Sequence, residues 1–296
     1  MRYVLVLVLT AITQINCQDK PTTGNTAADT ELIDQKAPSM TQNVSVKLGE
    51  LGPDFQKRYP SQVRINKQPA GLDFYRINLD TRPRGTVTVD HGAHSFRIDD
   101  VLSVLTSIDV DMPLQGFEEI SINAGITDPD LIPHEEARDK LYAILKAIEQ
   151  KGWRVLISED DPRISGKDRL NYVLTVTNSI GLDTKYVPTL DEWMRIQDLT
   201  DWSFYADRQF LTVHFKRERT LLDPAKPGSY LLTYTLKSEV ENFRGYVGAN
   251  NRRDWKQKLP AALDDLKQRR AKAEAALKSQ GIKIDETYQD PPLPRQ

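Results

Sequence analysis

The chain has 296 residues, of which 39% are hydrophobic and 28% are charged, a balance typical of a globular protein that buries a core. Its 40 basic residues nearly cancel its 42 acidic residues, which leaves a formal net charge of −2. Because proteins that capture nucleic acid carry a strong basic excess, nucleic acid is excluded as the expected partner.

An apolar run opens the chain. Met1 and Arg2 precede residues 3–12, which are almost all apolar. A membrane-spanning helix needs roughly 20 apolar residues, whereas the apolar part of a secretory signal has about 7–15. The sequence therefore predicts a signal peptide over residues 1–16 and an exported mature protein.

Cys17 is the only cysteine in the chain, so it cannot form an internal disulfide. Its place behind the signal resembles that of the lipid-modified first residue of mature bacterial lipoproteins. Those proteins usually carry Leu, a small residue and then Gly or Ala before the cysteine, where this chain has Gln14, Ile15 and Asn16. The resemblance implies a lipid anchor at Cys17 and a periplasm-facing position on the bacterial envelope, on the outer membrane rather than the inner one. The alternative is ordinary cleavage nearby, which leaves a free thiol or removes the cysteine.

Residues 17–45 are rich in Thr, Asn, Gln, Asp, Ala and Pro and show no sustained apolar period. Such a stretch buries too little apolar surface to offset the entropy of ordering it, so it is predicted to be a flexible tether. The folded region is expected over residues 46–284, either as one body or as two subdomains that divide near 127–133. Residues 285–296, which include three prolines, are predicted to be a disordered tail.

Alternating apolar and polar residues predict a series of strands. These are residues 75–79, 85–90, 95–98, 120–123, 154–157, 172–177 and 230–236, together with a hairpin of 202–205 and 210–215. Residues 101–108 fit either a strand or a helix.

Three helices are predicted. The first is amphipathic and runs from Pro133 to Gly152, with acidic residues in its first turn and glycine at its end. Thr189 and Glu192 form a capping box that opens a short helix, and residues 251–279 repeat apolar residues at spacings of three and four. Pro260 is expected to kink or restart this last helix. The order of elements predicts an α+β fold with a mainly antiparallel sheet, a mid-chain amphipathic helix and a long C-terminal helix.

Sequence motifs for catalysis are missing. The chain has no Gly-x-Ser-x-Gly, no Gly-x-x-x-x-Gly-Lys-Ser/Thr and no Gly-x-Gly-x-x-Gly. His91 and His94 are interpreted as solvated side chains of a turn. Arg138 stands where a zinc-protease helix beginning at His134 has its second histidine. We therefore predict no catalytic residue, no bound metal and no cofactor, while scattered acids and bases keep a periplasmic hydrolase open as an alternative.

Charge is distributed unevenly along the chain. Between Asp99 and Asp161 there are 15 acidic residues and five basic ones, whereas residues 251–279 carry nine basic and four acidic residues. Two structural interpretations are a solvated surface and attraction between the two regions within the fold. The functional interpretation is an acidic surface that steers a basic partner. Its candidate contact residues are Glu118, Glu119, Asp160 and Asp161.

Aromatic residues cluster around Trp193 and Trp202. Such residues are favoured at the cores of binding surfaces, but a sheet also packs them beneath a helix. The core interpretation is favoured, with Trp193 and Trp202 retained as candidate partner contacts.

Residues 161–166, Asp-Pro-Arg-Ile-Ser-Gly, and residues 188–194, Pro-Thr-Leu-Asp-Glu-Trp-Met, resemble bacterial lipoproteins associated with type VI secretion immunity. The resemblance covers residues 133–217 and implies that the protein binds and neutralises a toxic secreted enzyme in the periplasm. We therefore expect a non-enzymatic protein-binding module. The alternatives are a structural or assembly lipoprotein that binds an envelope component, and the hydrolase named above.

Overall fold

The computed structural model describes residues 42–69, 71–176, 180–198 and 200–294. The signal peptide over 1–16, Cys17 and most of the tether over 17–45 lie outside the described residues, so these stay predictions. Regular structure within the described chain begins at Asn43, slightly earlier than the predicted residue 46.

Strands dominate the described chain. They are β1 (Asn43–Val46), β2 (Arg64–Gln68), β3 (Leu72–Asn78), β4 (Gly85–Val89), β5 (Phe96–Asp109), β6 (Glu119–Gly125), β7 (Ile132–Pro133), β8 (Arg154–Val155), β9 (Asp201–Ala206), β10 (Gln209–Arg217), β11 (Pro227–Gly228) and β12 (Tyr230–Ser238). Ten of these form one sheet in the order β1-β4-β5-β6-β12-β10-β9-β8, with β3 also paired to β5 and β2 paired to β3. Its neighbouring strands are antiparallel except for β1 and β4. Because β6 pairs with β12, the strands before and after residues 127–133 belong to the same sheet.

Six α-helices accompany the strands in this part of the chain. They are α1 (Gly52–Arg58), α2 (His134–Gln150), α3 (Gly166–Thr175), α4 (Leu190–Arg195), α5 (Glu239–Tyr246) and α6 (Trp255–Ser279). The α+β fold with a mainly antiparallel sheet, a mid-chain amphipathic helix and a long C-terminal helix is therefore confirmed. Among the described residues, no helix combines the length and apolar composition that a membrane span requires.

The predicted strand over residues 172–177 is wrong, because α3 occupies residues 166–175. Alternating apolar residues suggested a strand, yet the buried positions are Arg169, Leu170 and Val173, which recur at helical spacing. Pro260 does not restart the last helix, since α6 continues through it from Trp255 to Ser279. The cost of a proline inside a helix, about 3 kcal/mol, is offset by burial of Leu259 and Leu263 beside it.

The two faces of the sheet have different chemistry, because successive side chains of a strand point to opposite faces. One face is fully buried and packs with residues of α2, α3 and α4 in a single hydrophobic core; its side chains include Ile122, Trp202, Leu211, Val213, Phe215, Leu232 and Leu236. The other face, here named the polar face, includes Ser103, Ser121, Asn123, Asp201, Ser203, Thr212, His214, Thr233 and Thr235. All of these residues except Ser103 are half-buried.

Helices α5 and α6 cover one end of the polar face. Tyr205 and Phe210 of the sheet pack there with Phe243, Trp255 and Leu259 in a second hydrophobic cluster. The rings of Phe210 and Phe243 meet edge to face, with their centroids 5.8 Å apart. These two helices therefore build a wall at the end of a polar surface.

The segment after Asp285 differs from the disordered tail that its composition predicts. Arg270 of α6 holds Asp290 through two hydrogen bonds of 2.8 and 2.9 Å. The hydroxyl of Tyr288 accepts a hydrogen bond of 2.8 Å from the backbone N–H of Ile157. Specific contacts of this kind order a chain whose own sequence has no apolar period.

Candidate functional site

A cavity of about 370 Å³ lies where the polar face meets α5. Its floor is formed by β9, β10 and β12, and its walls by α5, the loop over residues 156–161 and one side chain of α3. The cavity, here named the polar cleft, is lined by Leu156, Ser158, Asp160, Asp161, Arg169, Gly181, Asp201, Ser203, Phe210, Thr212, Thr235, Lys237, Asn242 and Tyr246. Polar side chains from separate parts of the sequence thus converge on one space.

Strand register explains the floor of the polar cleft. Ser203, Thr212 and Thr235 lie side by side on three neighbouring strands, so their hydroxyl groups share one face. The hydroxyl oxygens of Ser203 and Thr212 are 3.1 Å apart and form a hydrogen bond. Two-residue alternation along each strand therefore produces a hydroxyl-lined surface that can donate and accept hydrogen bonds.

Arg169 forms the deep wall of the polar cleft and is only 1% exposed. Its Nε donates a hydrogen bond to the carbonyl oxygen of Gly181, and its Nη2 lies 3.6 Å from a carboxylate oxygen of Asp161. Burial lowers the pKa of Arg169, against the opposing effect of the Asp161 charge. Helix α3 therefore brings a desolvated cation to the cleft, an arrangement that is stable only while acidic groups remain beside it.

Two carboxyl groups of the polar cleft are affected by the same burial. Burial raises the pKa of Asp161 to about 7, although Arg169 acts in the opposite direction, and the charges of Asp160 and Asp201 raise it further. Burial also raises the pKa of Asp201, and Arg169 again opposes the shift. The charge of one guanidinium thus acts on both carboxyl groups, one of which is partly protonated near neutral pH.

The acidic loop beside the polar cleft is tied to the two C-terminal helices. Glu159 is buried and accepts a hydrogen bond from the hydroxyl of Tyr246. Asp160 lies 3.4 Å from Arg269 of α6. Within the described residues, part of the acidic region is thus neutralised by the basic C-terminal region, as the interpretation of attraction within the fold expects.

The structure brings together three of the four acidic candidates. Asp160 and Asp161 line the polar cleft, and Glu119 lies 3.4 Å from Lys237, which also lines it. Glu118 instead forms an ion pair of 2.8 Å with Arg244 of α5. Glu119 and Asp160 remain partly accessible to solvent.

Trp193 and Trp202 are both 0% exposed and belong to the hydrophobic core. Side chains with no accessible surface cannot contact a partner in this conformation, so their burial supports the core interpretation. Sequence reasoning missed Arg169 and Asp201. Arg169 precedes the predicted strand of residues 172–177, so the sequence indicated no helix that would place it. Asp201 carries no signal beyond standing at a strand's start.

The histidines of the turn are held by backbone groups. His91 Nε2 lies 3.0 Å from the carbonyl oxygen of Ala206, and His94 Nδ1 lies 2.8 Å from that of Lys151. Over the described ranges, no group of three or more His, Cys, Asp or Glu side chains is placed to hold a metal ion.

Comparison with known proteins returned no matching family model, no matching curated protein and no matching solved structure.

Proposed function

We propose that this chain is an exported, non-enzymatic protein-binding module that faces the periplasm from a lipid anchor at Cys17. Its partner is a toxic secreted enzyme, which the module neutralises. The observation that carries the proposal is the polar cleft, where acidic groups that the sequence marked as partner contacts meet on a half-buried sheet face. Antiparallel sheets often have one solvated face. Such a face does not by itself require a cavity lined by charged side chains, so the cavity favours a binding role.

The size and position of the polar cleft favour a protruding group of a partner. Its volume of about 370 Å³ is at the lower end of ligand sites. It opens on a surface of hydroxyl and amide groups, of the kind that form the hydrogen bonds of non-obligate interfaces. An anchored group in the cleft, surrounded by weaker polar contacts, would match the way binding energy is concentrated in protein interfaces.

Affinity capture tests the proposal directly. Residues 18–296 are immobilised and exposed to envelope and secreted fractions of the source organism, and bound proteins are identified by mass spectrometry. The expected result is a stoichiometric secreted enzyme whose activity is inhibited on binding. Recovery of resident envelope proteins instead would favour a structural or assembly lipoprotein.

Matched variants locate the contact. Thr235→Arg places a bulky cation on the floor of the polar cleft and is expected to abolish capture. Gln268→Arg adds the same group to the exposed side of α6 and is expected to leave capture unchanged. Equal capture by both variants would show that the partner binds elsewhere.

The lipid anchor has a separate test. Metabolic palmitate labelling is expected to mark the wild-type chain but not Cys17→Ser. Equal labelling of the two would rule out Cys17 as the attachment site without affecting the binding proposal.

The raised pKa of Asp161 also favours a second candidate, a periplasmic hydrolase. A carboxyl group with a pKa of about 7 beside a second carboxyl group suits general acid–base chemistry at neutral pH. Screening envelope polymers as substrates tests this candidate. Turnover that disappears in both Asp161→Asn and Asp201→Asn would establish it, and turnover retained in either variant would contradict this assignment.

A further inference from the structure

The polar cleft contains more acidic groups than its basic groups neutralise. Asp160 forms an ion pair with Arg269, and Glu119 forms an ion pair of 3.4 Å with Lys237. Arg169 is then the one guanidinium of the cleft that faces both Asp161 and Asp201. Arg270 also acts on Asp161, but its guanidinium is held by Asp290 through two hydrogen bonds. One of these two carboxyl groups therefore has no cation of its own.

Among the described residues, the two carboxyl groups also lack hydrogen-bond donors. Asp161 is only 8% exposed, and its nearest charged neighbour, Arg169 Nη2, is at 3.6 Å, beyond hydrogen-bond distance. Across the part of the chain that the structure describes, no group donates a hydrogen bond to the carboxylate of Asp161 or of Asp201. Buried carboxylates are normally satisfied by such donors. Here the two acceptors border an open cavity.

We propose that the polar cleft binds a protonated amine or guanidinium, a basic side chain of the partner, between Asp161 and Asp201. The hydroxyl groups of Ser203 and Thr212 accept its remaining N–H donors, while Phe210 provides an apolar surface for the aliphatic stem. The assignment of this cation to a protein partner rests on the proposed function. The capacity of the cleft to bind an organic cation is independent of that function.

Proton linkage supports this assignment. The groups that face Asp161 are Asp160 in its own loop, Arg169 of α3, Asp201 of β9 and Arg270 of α6. A bound cation stabilises the ionised form of Asp161, so binding near pH 7 releases a proton. The affinity therefore rises with pH through the pKa of about 7.

Calorimetric titration of residues 18–296 with agmatine, which carries a guanidinium and an amine, tests the proposal without a protein partner. We expect binding at one site, an affinity that is higher at pH 8 than at pH 6, and proton release detectable from two buffers with different ionisation heats. The neutral molecule 1,4-butanediol is expected not to bind. Binding of butanediol as strong as that of agmatine, or agmatine binding without a pH dependence, would overturn the proposal.

Variants then locate the bound agmatine. Asp201→Asn removes one negative charge, keeps Asp161 beside Arg169, and is expected to weaken binding about tenfold or more. Asp265→Asn, an exposed carboxylate of α6, is the matched control and is expected to bind like the wild type. Thermal melting establishes that both variants fold, and Asp161→Asn provides a second test of the same site. Equal weakening by Asp201→Asn and Asp265→Asn would attribute the binding to general surface charge.

The outcomes separate this inference from the proposed function. A captured partner together with absent agmatine binding would overturn the cation site and leave the binding module intact. Agmatine binding without a captured protein would support the site and contradict the proposed partner.

Discussion

Arg169 of α3 and Arg217 of β10 are both almost fully buried, at 1% and 7% exposure, but their charges are received by different groups. Arg169 donates a hydrogen bond to a backbone carbonyl, lies 3.6 Å from Asp161 and acts through its charge on Asp201, beside an open cavity. Arg217 donates hydrogen bonds to the carbonyl oxygens of Trp193, Met194 and Ile196. No carboxylate of the described residues lies within 4.0 Å of its guanidinium.

The surroundings of Arg217 explain why it needs no acid. The three carbonyl groups lie at the C-terminal end of α4, where the helix dipole favours a cation. Its guanidinium carbon also lies 5.4 and 4.9 Å from the ring centroids of Trp193 and Phe215. Arg217 is therefore a structural side chain that closes a helix end. Arg169 differs because its neighbours retain an uncompensated charge and free acceptors, and that difference is why the function is assigned to its side of the sheet.

Replacing Arg169 by Met is expected to have the largest effect on stability. It leaves the carboxyl groups of Asp161 and Asp201 buried without a cation, at a cost of about 3–5 kcal/mol at pH 8. The loss should be smaller at pH 5.5, where these carboxyl groups take up protons. Urea unfolding at both pH values measures it. Lys167→Met, an exposed cation of the same helix, should change stability by about 0.5 kcal/mol or less; equal losses in the two variants would contradict this account.

Arg217→Met is expected to cost less, about 2–3 kcal/mol, because methionine preserves contact with the two rings while the carbonyl groups of α4 lose their donor. The loss should differ less between pH 5.5 and pH 8 than the loss in Arg169→Met, since no described carboxylate forms an ion pair with Arg217. Its charge is only the second cause, after burial, of the lowered pKa of His134. Lys216→Met, the exposed neighbour on β10, is the control for the same unfolding measurement. A strong pH dependence of the Arg217→Met effect would remove the contrast between the two arginines.

The sequence predicts most of the sheet and three of the six described helices, α2, α4 and α6, because strand alternation, the capping box of Thr189 and the amphipathic period of α2 are local signals. The capping box is present as expected. The polar cleft has no such signal. Arg169, Asp201 and Tyr246 come together only through the order of strands and the crossing of α5, which depend on contacts distant in sequence. Acidic residues could be identified as candidates, but their ion pairs with Arg244 and Arg269 could not.

Asp161→Asn tests the Arg169 side of the comparison through a smaller change in stability. The pKa of Asp161 is about 7 in the folded chain and 3.8 as its ordinary value, so the folded state holds the proton more tightly. Its contribution to stability is present below pH 3.8 and is lost as the pH rises through 7. Between pH 5 and pH 8 the free energy of unfolding of Asp161→Asn should therefore rise, relative to that of the wild type, by on the order of 2 kcal/mol. Parallel stability curves for the two proteins would contradict the raised pKa.

His134, on the buried side with Arg217, provides the smallest test and one of opposite sign. Trp193 Nε1 donates a hydrogen bond of 3.1 Å to the hydroxyl oxygen of Tyr230, and that oxygen lies 2.5 Å from His134 Nδ1. Burial, together with the charge of Arg217, lowers the pKa of His134. The folded state thus resists protonation, and stability should be lost as the pH falls below about 6.5. In His134→Phe this loss of stability towards acidic pH should disappear from unfolding curves recorded between pH 7.5 and pH 5. An unchanged pH dependence would show that His134 protonates freely in the folded chain. The two sides of the sheet would then be distinguished by the sign of their response, the Asp161 side losing stability towards alkaline pH and the His134 side towards acidic pH.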